Sequence, residues 1–246
     1  MHVSLSRIDH RPWPIPQTRW SWRQSWKDLL FAHWPLPASI LQPLVPESLR
    51  IDEFEGTSWV GVVPFRMTGV TKRPLPDLPW LSAFPELNLR LYVERDGKPG
   101  VWFLSLDADN PLAVWAARRF FHLPYFWSEM RIKSKDYRFE YSSRRRGKAT
   151  VADFRASYRP VSDIFHSKPG TLESFLTERY CLYAQSTDGT MYRGEVHHFP
   201  WPLQKAAGKV EPHGLLASHG IQVTGTPLLH FAKQIDVVIW PLERLH

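Results

Sequence analysis

The chain has one cysteine in 246 residues, Cys181, so no internal disulfide can form and the fold rests on burial. Set between Tyr180 and Leu182, that thiol reads as packing rather than as a nucleophile. Long apolar runs are missing too: no stretch approaches the roughly 20 residues of a membrane-spanning helix, and no membrane partner is expected. Met1 to Arg23 is polar and rich in proline and tryptophan, without the apolar centre of a signal peptide, so the expected location is the cytoplasm. There is no Gly-x-x-x-x-Gly-Lys loop, no Gly-x-Gly-x-x-Gly turn after a strand and no Gly-x-Ser-x-Gly elbow. The commonest nucleotide and serine-hydrolase readings fall with them. Paired cysteines and His-Glu-x-x-His are absent, and the adjacent His197 and His198 would leave a strand on opposite faces. No metal and no cofactor is therefore expected.

Aromatic residues are abundant, with 12 Trp, 14 Phe and 8 Tyr, ample for a packed core. The formal charge of +7 raises the question of nucleic acid. Its one cluster, Arg144-Arg145-Arg146-Gly147-Lys148, lies between two strand-like runs as a solvated hairpin tip, with no RNA- or DNA-binding signature beside it. A nucleic-acid partner is not expected, whereas small anions would be drawn by the same charge.

The most informative stretch is Phe84-Pro85-Glu86-Leu87-Asn88-Leu89-Arg90-Leu91-Tyr92-Val93. Leu87, Leu89, Leu91 and Val93 alternate with Glu86, Asn88, Arg90 and Tyr92, the period of a β-strand. An ordinary strand with one wet face is the bland account. Yet the polar row lacks Lys, Ser and Thr, and each of its members can make several directed hydrogen bonds. Asp96-Gly97-Lys98-Pro99-Gly100 is turn chemistry, and Val101 to Leu106 returns as a second strand. In one register the polar row lies beside Trp102, Leu104 and Leu106, and in the other beside Phe103, Ser105 and Asp107. Both put large apolar groups beside it, so the row is expected to face inward and to serve itself or a ligand.

Elsewhere, residues 1–19 are expected to form a weakly ordered arm ahead of a single domain over 20–246. Strands are expected over Trp26–Trp34, Leu49–Phe54 and Trp59–Met67, the last buried on both faces. Thr71 to Pro85 is proline-rich, long enough for a functional loop. A helix over 111–121 opens at Asn110 and Pro111. Arg131–Tyr141 and Ala149–Tyr158 form a hairpin, Pro169–Glu178 a helix, and Tyr180–Gln185 pairs with Met191–Phe199. Gln222–Trp240 supplies the last strands. Many strands with a few short helices argue an α+β, mostly antiparallel, barrel-like domain. Arg179 ends a helix and either complements its dipole or enters a pocket. His33 suits a hydrogen-bonded core, and Trp201, between two prolines, packs under a corner.

Several motifs together resemble the YqjF-like family of uncharacterised bacterial proteins. They are Phe31-Ala32-His33-Trp34, Val63-Pro64-Phe65-Arg66, Glu86 to Tyr92, Leu123-Pro124-Tyr125 and Leu176-Thr177-Glu178-Arg179-Tyr180. More distantly, Leu44-Val45-Pro46-Glu47-Ser48-Leu49-Arg50-Ile51-Asp52 is similar to a segment of acetoacetate decarboxylase, whose superfamily fold is a closed barrel or cone around a deep pocket. That resemblance places Glu86 where the enzyme has a catalytic glutamate, and Tyr125 and Phe126 where it has two lysines. A phenol forms no iminium, so genuine acetoacetate decarboxylation is not expected. What the resemblance implies is a pocket for a small carbonyl- or carboxylate-bearing ligand. Glu86 would act as acid/base, Tyr125 as a hydrogen-bond donor, and Arg90 and Arg66 would hold a carboxylate. Asn88, His33, Tyr92, Arg118 and Arg179 complete the candidate set. Lyase, hydratase or isomerase chemistry fits these parts. A non-catalytic binding or sensing protein is the alternative, and a homo-oligomer with the Glu/Arg row as its interface a third.

Overall fold

The run from Phe84 to Val93 is a strand, as its alternation requires, and both of its faces are buried. The structure, a computed structural model, describes residues 2–74, 83–146 and 152–246. In chain order they form β1 (Trp22–Leu36), α1 (Ala38–Leu41), β2 (Arg50–Ile51), β3 (Ser58–Lys72), β4 (Phe84–Arg95) and β5 (Lys98–Ala108). There follow α2 (Pro111–Phe121), β6 (Tyr125–Lys135), β7 (Arg138–Arg145), β8 (Asp153–Pro160) and α3 (Leu172–Thr177). The chain ends with β9 (Cys181–Gln185), β10 (Met191–His197), β11 (Leu203–Glu211), α4 (His213–Ala217), β12 (Leu228–Ile239) and β13 (Glu243–Arg244). The loop expected over Thr71–Pro85 and the tip beyond Arg146 fall partly outside the described residues.

Strands neighbour one another in the order β13-β10-β9-β5-β6-β7-β8-β11-β12-β1-β3-β4-β2, and two further pairings, β4 with β5 and β10 with β12, bend the sheet into closed rings. The rings share the wall β12-β1-β3-β4-β5. One is completed by β9 and β10, the other by β6, β7, β8 and β11. Pairing is antiparallel except where β5 meets β6 and β9. This is the closed, mostly antiparallel barrel with a few short helices that the sequence led us to expect.

A shared wall must be apolar on both faces, which explains β3 and the leucine row of β4. Leu30, Ala32, Val60, Val62, Leu87 and Leu89 enter one core. Leu29, Phe31, Val63, Phe65 and Phe84 enter the other. The β4–β5 hairpin turns tightly at Asp96 and Gly97, both at positive φ. Neither anticipated register holds throughout. Asn88 lies opposite Leu106 and Arg90 opposite Phe103, because a bulge between them absorbs Leu104. The bulge lets Phe103 and Leu106 both face the polar row.

Three elements differ from expectation. Arg131–Tyr141 is not one strand: Asp136 and Tyr137, at φ 49° and 58°, turn the chain from β6 into β7 without a glycine to mark the place. The stretch Leu49–Phe54 keeps only the two residues of β2. β11 was unforeseen because Ala206, Ala207 and Gly208 carry no strand-forming bulk. At Gly208 a Cβ would stand 2.1 Å from the Ser157 carbonyl oxygen, so the close approach of β8 requires glycine. The proline-rich arm lies against β10: Trp13 Nε1 donates to Glu195 at 2.7 Å, and Arg11 pairs with the same carboxylate at 2.7 Å. No helix among the described residues is long and apolar enough to cross a membrane.

Tyr137 tests the turn. A side chain in the left-handed region costs about 1 kcal/mol that glycine does not. Tyr137→Gly is expected to raise Tm in a thermal melt by about 2–4 °C. A fall would show that the Tyr137 ring, 5.1 Å from the Lys233 ammonium, contributes more than the backbone strain costs.

Candidate functional site

All seven strands of the ring closed by β9 and β10 lend side chains to a cavity of about 180 Å³. Apolar groups make up most of its wall. The exceptions come chiefly from β4, where alternation sends Glu86, Asn88 and Arg90 inward one after another, and from Arg179 just beyond α3. Tyr125, the first residue of β6, stands across from Glu86.

Glu86 is 2% exposed. Tyr125 donates to its Oε2 at 2.9 Å, and Tyr141 donates to its backbone oxygen at 2.7 Å. Burial pushes the Glu86 carboxyl up to about 8; the Tyr125 hydrogen bond pulls down only part of that rise, and nearby Asp107 adds to it. At neutral pH Glu86 is thus mainly a carboxylic acid. Among the described residues nothing hydrogen-bonds its Oε1, which faces the cavity as a hydroxyl donor. Burial, then Glu86 itself, drives the Tyr125 phenol well above its ordinary range, so Tyr125 remains a donor.

Arg90 is built in from behind. Its Nε donates to the Tyr92 hydroxyl at 3.1 Å and its Nη2 to the Leu176 carbonyl at 3.0 Å. Tyr92 also gives its hydrogen to Leu176, so the 2.6 Å contact with His33 makes His33 Nε2 the donor. Gly61 leaves room for this pair: a Cβ there would stand 3.1 Å from the His33 ring. Burial, with Arg90 beside it, holds His33 well below its usual pKa and therefore neutral. Among the described residues no carboxylate lies within ion-pair distance of Arg90, and its Nη1 is unpartnered. Asn88 Oδ1 is also buried without a hydrogen bond. Arg179 differs, since Asp52 meets its Nη1 at 2.6 Å and Phe175 lies 4.3 Å beneath it.

The structure therefore gathers Glu86, Tyr125, Asn88, Arg90 and Arg179 around one cavity, with Tyr92 and His33 as supports behind Arg90. It leaves two candidates out. Arg66 follows Phe65 on β3 and so points to the opposite face, where it is half-exposed with Asp28 at 3.9 Å. Arg118 lies on the outer side of α2, and its Nε donates to the Tyr125 backbone oxygen. Sequence reasoning missed Trp26, Trp201 and Thr177 as cavity residues, and took His198 only as a possible ligand for metal. Trp26 and Trp201 stack at 5.9 Å, each with a buried, unpartnered Nε1. The proline pair around Trp201 was the one local signal of a held position.

A family model described as an uncharacterized conserved protein, DUF2071, matches residues 23–236. The chain is also 44% identical over 239 residues to Uncharacterized protein YqjF of Bacillus subtilis (strain 168), covering 97% of this chain and 98% of that one. The chain belongs to the DUF2071 family. The resemblance drawn from its motifs holds. Solved structures share the fold of this DUF2071 chain at low identity. Acetoacetate decarboxylase from Legionella pneumophila aligns with TM-score 0.62 at 12% identity, over 97% of this chain and 93% of that one. An acetoacetate decarboxylase-like enzyme from Sphingomonas wittichii RW1 gives 0.64 at 12%, over 93% and 94%. The enduracididine biosynthesis enzyme MppR, complexed with pyruvate, gives 0.65 at 12%, over 97% and 93%. Among the described residues lining the cavity of the DUF2071 chain there is no lysine.

Glu86 makes stability depend on pH with a definite sign. Its folded pKa is about 8 against an ordinary 4.5, so the folded state holds a proton that the unfolded chain has released. Stability falls as pH rises from 4.5 through 8 and is level above, with a slope of at most about 1.4 kcal/mol per pH unit. Denaturant titrations from pH 5 to 9 should show that slope in the wild type and lose it in Glu86→Gln; parallel curves would refute it.

Proposed function

We propose that the cavity binds a small monoanion carrying a carboxylate and a carbonyl, and that Glu86 exchanges a proton with it. The observation that carries this reading is one unpaired guanidinium, Arg90, sharing a cavity with one neutral carboxylic acid, Glu86. A buried cation without a counter-charge is costly, and an anionic ligand supplies what the protein omits. Arg90 Nη1 offers a charged donor to the carboxylate, while the unpartnered Asn88 Oδ1 is an acceptor left for a hydrogen elsewhere on the ligand. The fold neighbour described with pyruvate supports this class of ligand.

With the carboxylate so held, the ligand's carbonyl lies towards Glu86, the next inward residue along β4. Glu86 as an acid protonates an enol form of the ligand at carbon while the enol's hydroxyl proton is released, so that the ligand gains one proton and loses one. The carboxylate it becomes accepts the Tyr125 hydrogen bond and later recovers a proton. Tyr125 is spent on Glu86, so its role is to position and stabilise that carboxyl rather than to meet the ligand alone. The chemistry is that of a lyase, hydratase or isomerase working through an enol, without a covalent amine adduct. Neither nucleic acid nor membrane is required as a partner.

Thermal-shift screening with 2-oxo and 3-oxo acids, followed by product analysis on the hits, tests the reading. Arg90→Met is expected to weaken binding about 10- to 100-fold, the loss of a charged hydrogen bond. Glu86→Gln should bind with little change, fold normally at pH 7 and turn nothing over. Binding without turnover in the wild type leaves a binding or sensing protein; no binding by any oxo acid refutes the site. Borohydride with a labelled oxo acid should leave no adduct, and a stoichiometric one would overturn the account of Tyr125.

A further inference from the structure

We infer that the ligand is amphiphilic, a carboxylate whose apolar tail of about four to eight carbons lies along the inner face of α2. This rests on the carboxylate site proposed above and adds its direction and length. On β4 the inward residues run Arg90, Asn88, Glu86, Phe84, at steps of about 6.6 Å. The order along the cavity is therefore cation, amide, acid, hydrocarbon.

Beyond Glu86 no charged side chain is found among the described residues of the wall. Phe84 lies opposite Met67 on β3, and the Trp22 and Phe121 rings meet at a tilt of 58° with their centres 5.4 Å apart. α2 covers this end because it leaves β5 just after Ala108, the partner of Glu86. Its residues Ala113, Ala117 and Phe121 are four apart and share one face, and that face lines the cavity. Large side chains of the same helix, Leu112, Trp115 and Phe120, point to solvent instead. Alanine on the inward face and bulk on the outward face leave a groove beside the helix.

A short oxo acid would fill only the polar end. The remainder would stay as an apolar void or hold water without partners, and either is unfavourable. A cavity of about 180 Å³ is many times the roughly 10–15 Å³ that one water needs, room for a head group and a tail. Each buried methylene strengthens binding about fourfold.

Calorimetry with 2-oxobutanoate, 2-oxohexanoate, 2-oxooctanoate and 2-oxodecanoate tests the inference. The expected Kd falls about fourfold per methylene and then levels once the tail meets Trp22 and Phe121. Ala117→Leu should bring that plateau on two or three methylenes earlier while leaving 2-oxobutanoate unchanged. Phe121→Ala should delay the plateau, and serves alone if Ala117→Leu does not fold. Equal affinity along the series, still lost in Arg90→Met, overturns the tail while the carboxylate site stands. A rising series that neither α2 variant alters overturns the placement on α2. No binding by any member removes the carboxylate site, and this inference with it.

Discussion

Keeping Glu86 out of water is the constraint on which the site depends. A carboxylate in that position would face Phe65 and Ala108 on the neighbouring strands and only one hydrogen-bond donor at its side chain. The desolvation cost is met by holding the proton, so the group enters the cavity as a neutral donor. The contrast with Asp107 is instructive. Asp107 is as deeply buried and its pKa is also raised by burial, yet Arg145 meets it at 2.6 Å and Ser128 at 3.0 Å. One acid has a cation in place and is structural. The other lacks one among the described residues, and it is the acid that the proposed chemistry uses.

Arg90 is the complementary case. Tyr92, itself held by His33, and the Leu176 carbonyl fasten one side of its guanidinium, while the other side has no counter-charge among the described residues. Period-two alternation sets two groups with opposite deficits on one strand, and the proposed ligand is a molecule that satisfies both. The fold itself does not dictate this: solved structures at 12% identity share the barrel, and the site is set by the residues placed on it.

Much of this was legible in the residues. The alternation of β4, the Asp96-Gly97 turn, the Asn110 cap and the doubly apolar β3 each obey a local rule, and the closed barrel followed from the motif resemblance. What escaped depended on neighbours distant in sequence. A bulge at Leu104 decided the hairpin register, and β8 dictated glycine in β11. The Asp136-Tyr137 turn gave no glycine signal. Arg66 looked like a partner for Arg90 in composition, but its parity on β3 sends it to the other face. Trp26 had no pattern to announce it and Trp201 only its two flanking prolines, because a cavity wall needs only bulk from wherever the sheet curls.

The most direct test is the ionisation of Glu86 itself, followed by carbon-detected NMR of the side-chain carboxyl with Glu86→Gln to assign it. A midpoint near 8 is predicted, with the signal of a protonated acid at pH 6. A midpoint near 4.5, the ordinary value, would mean that the carboxyl is wet and charged, and would contradict the account.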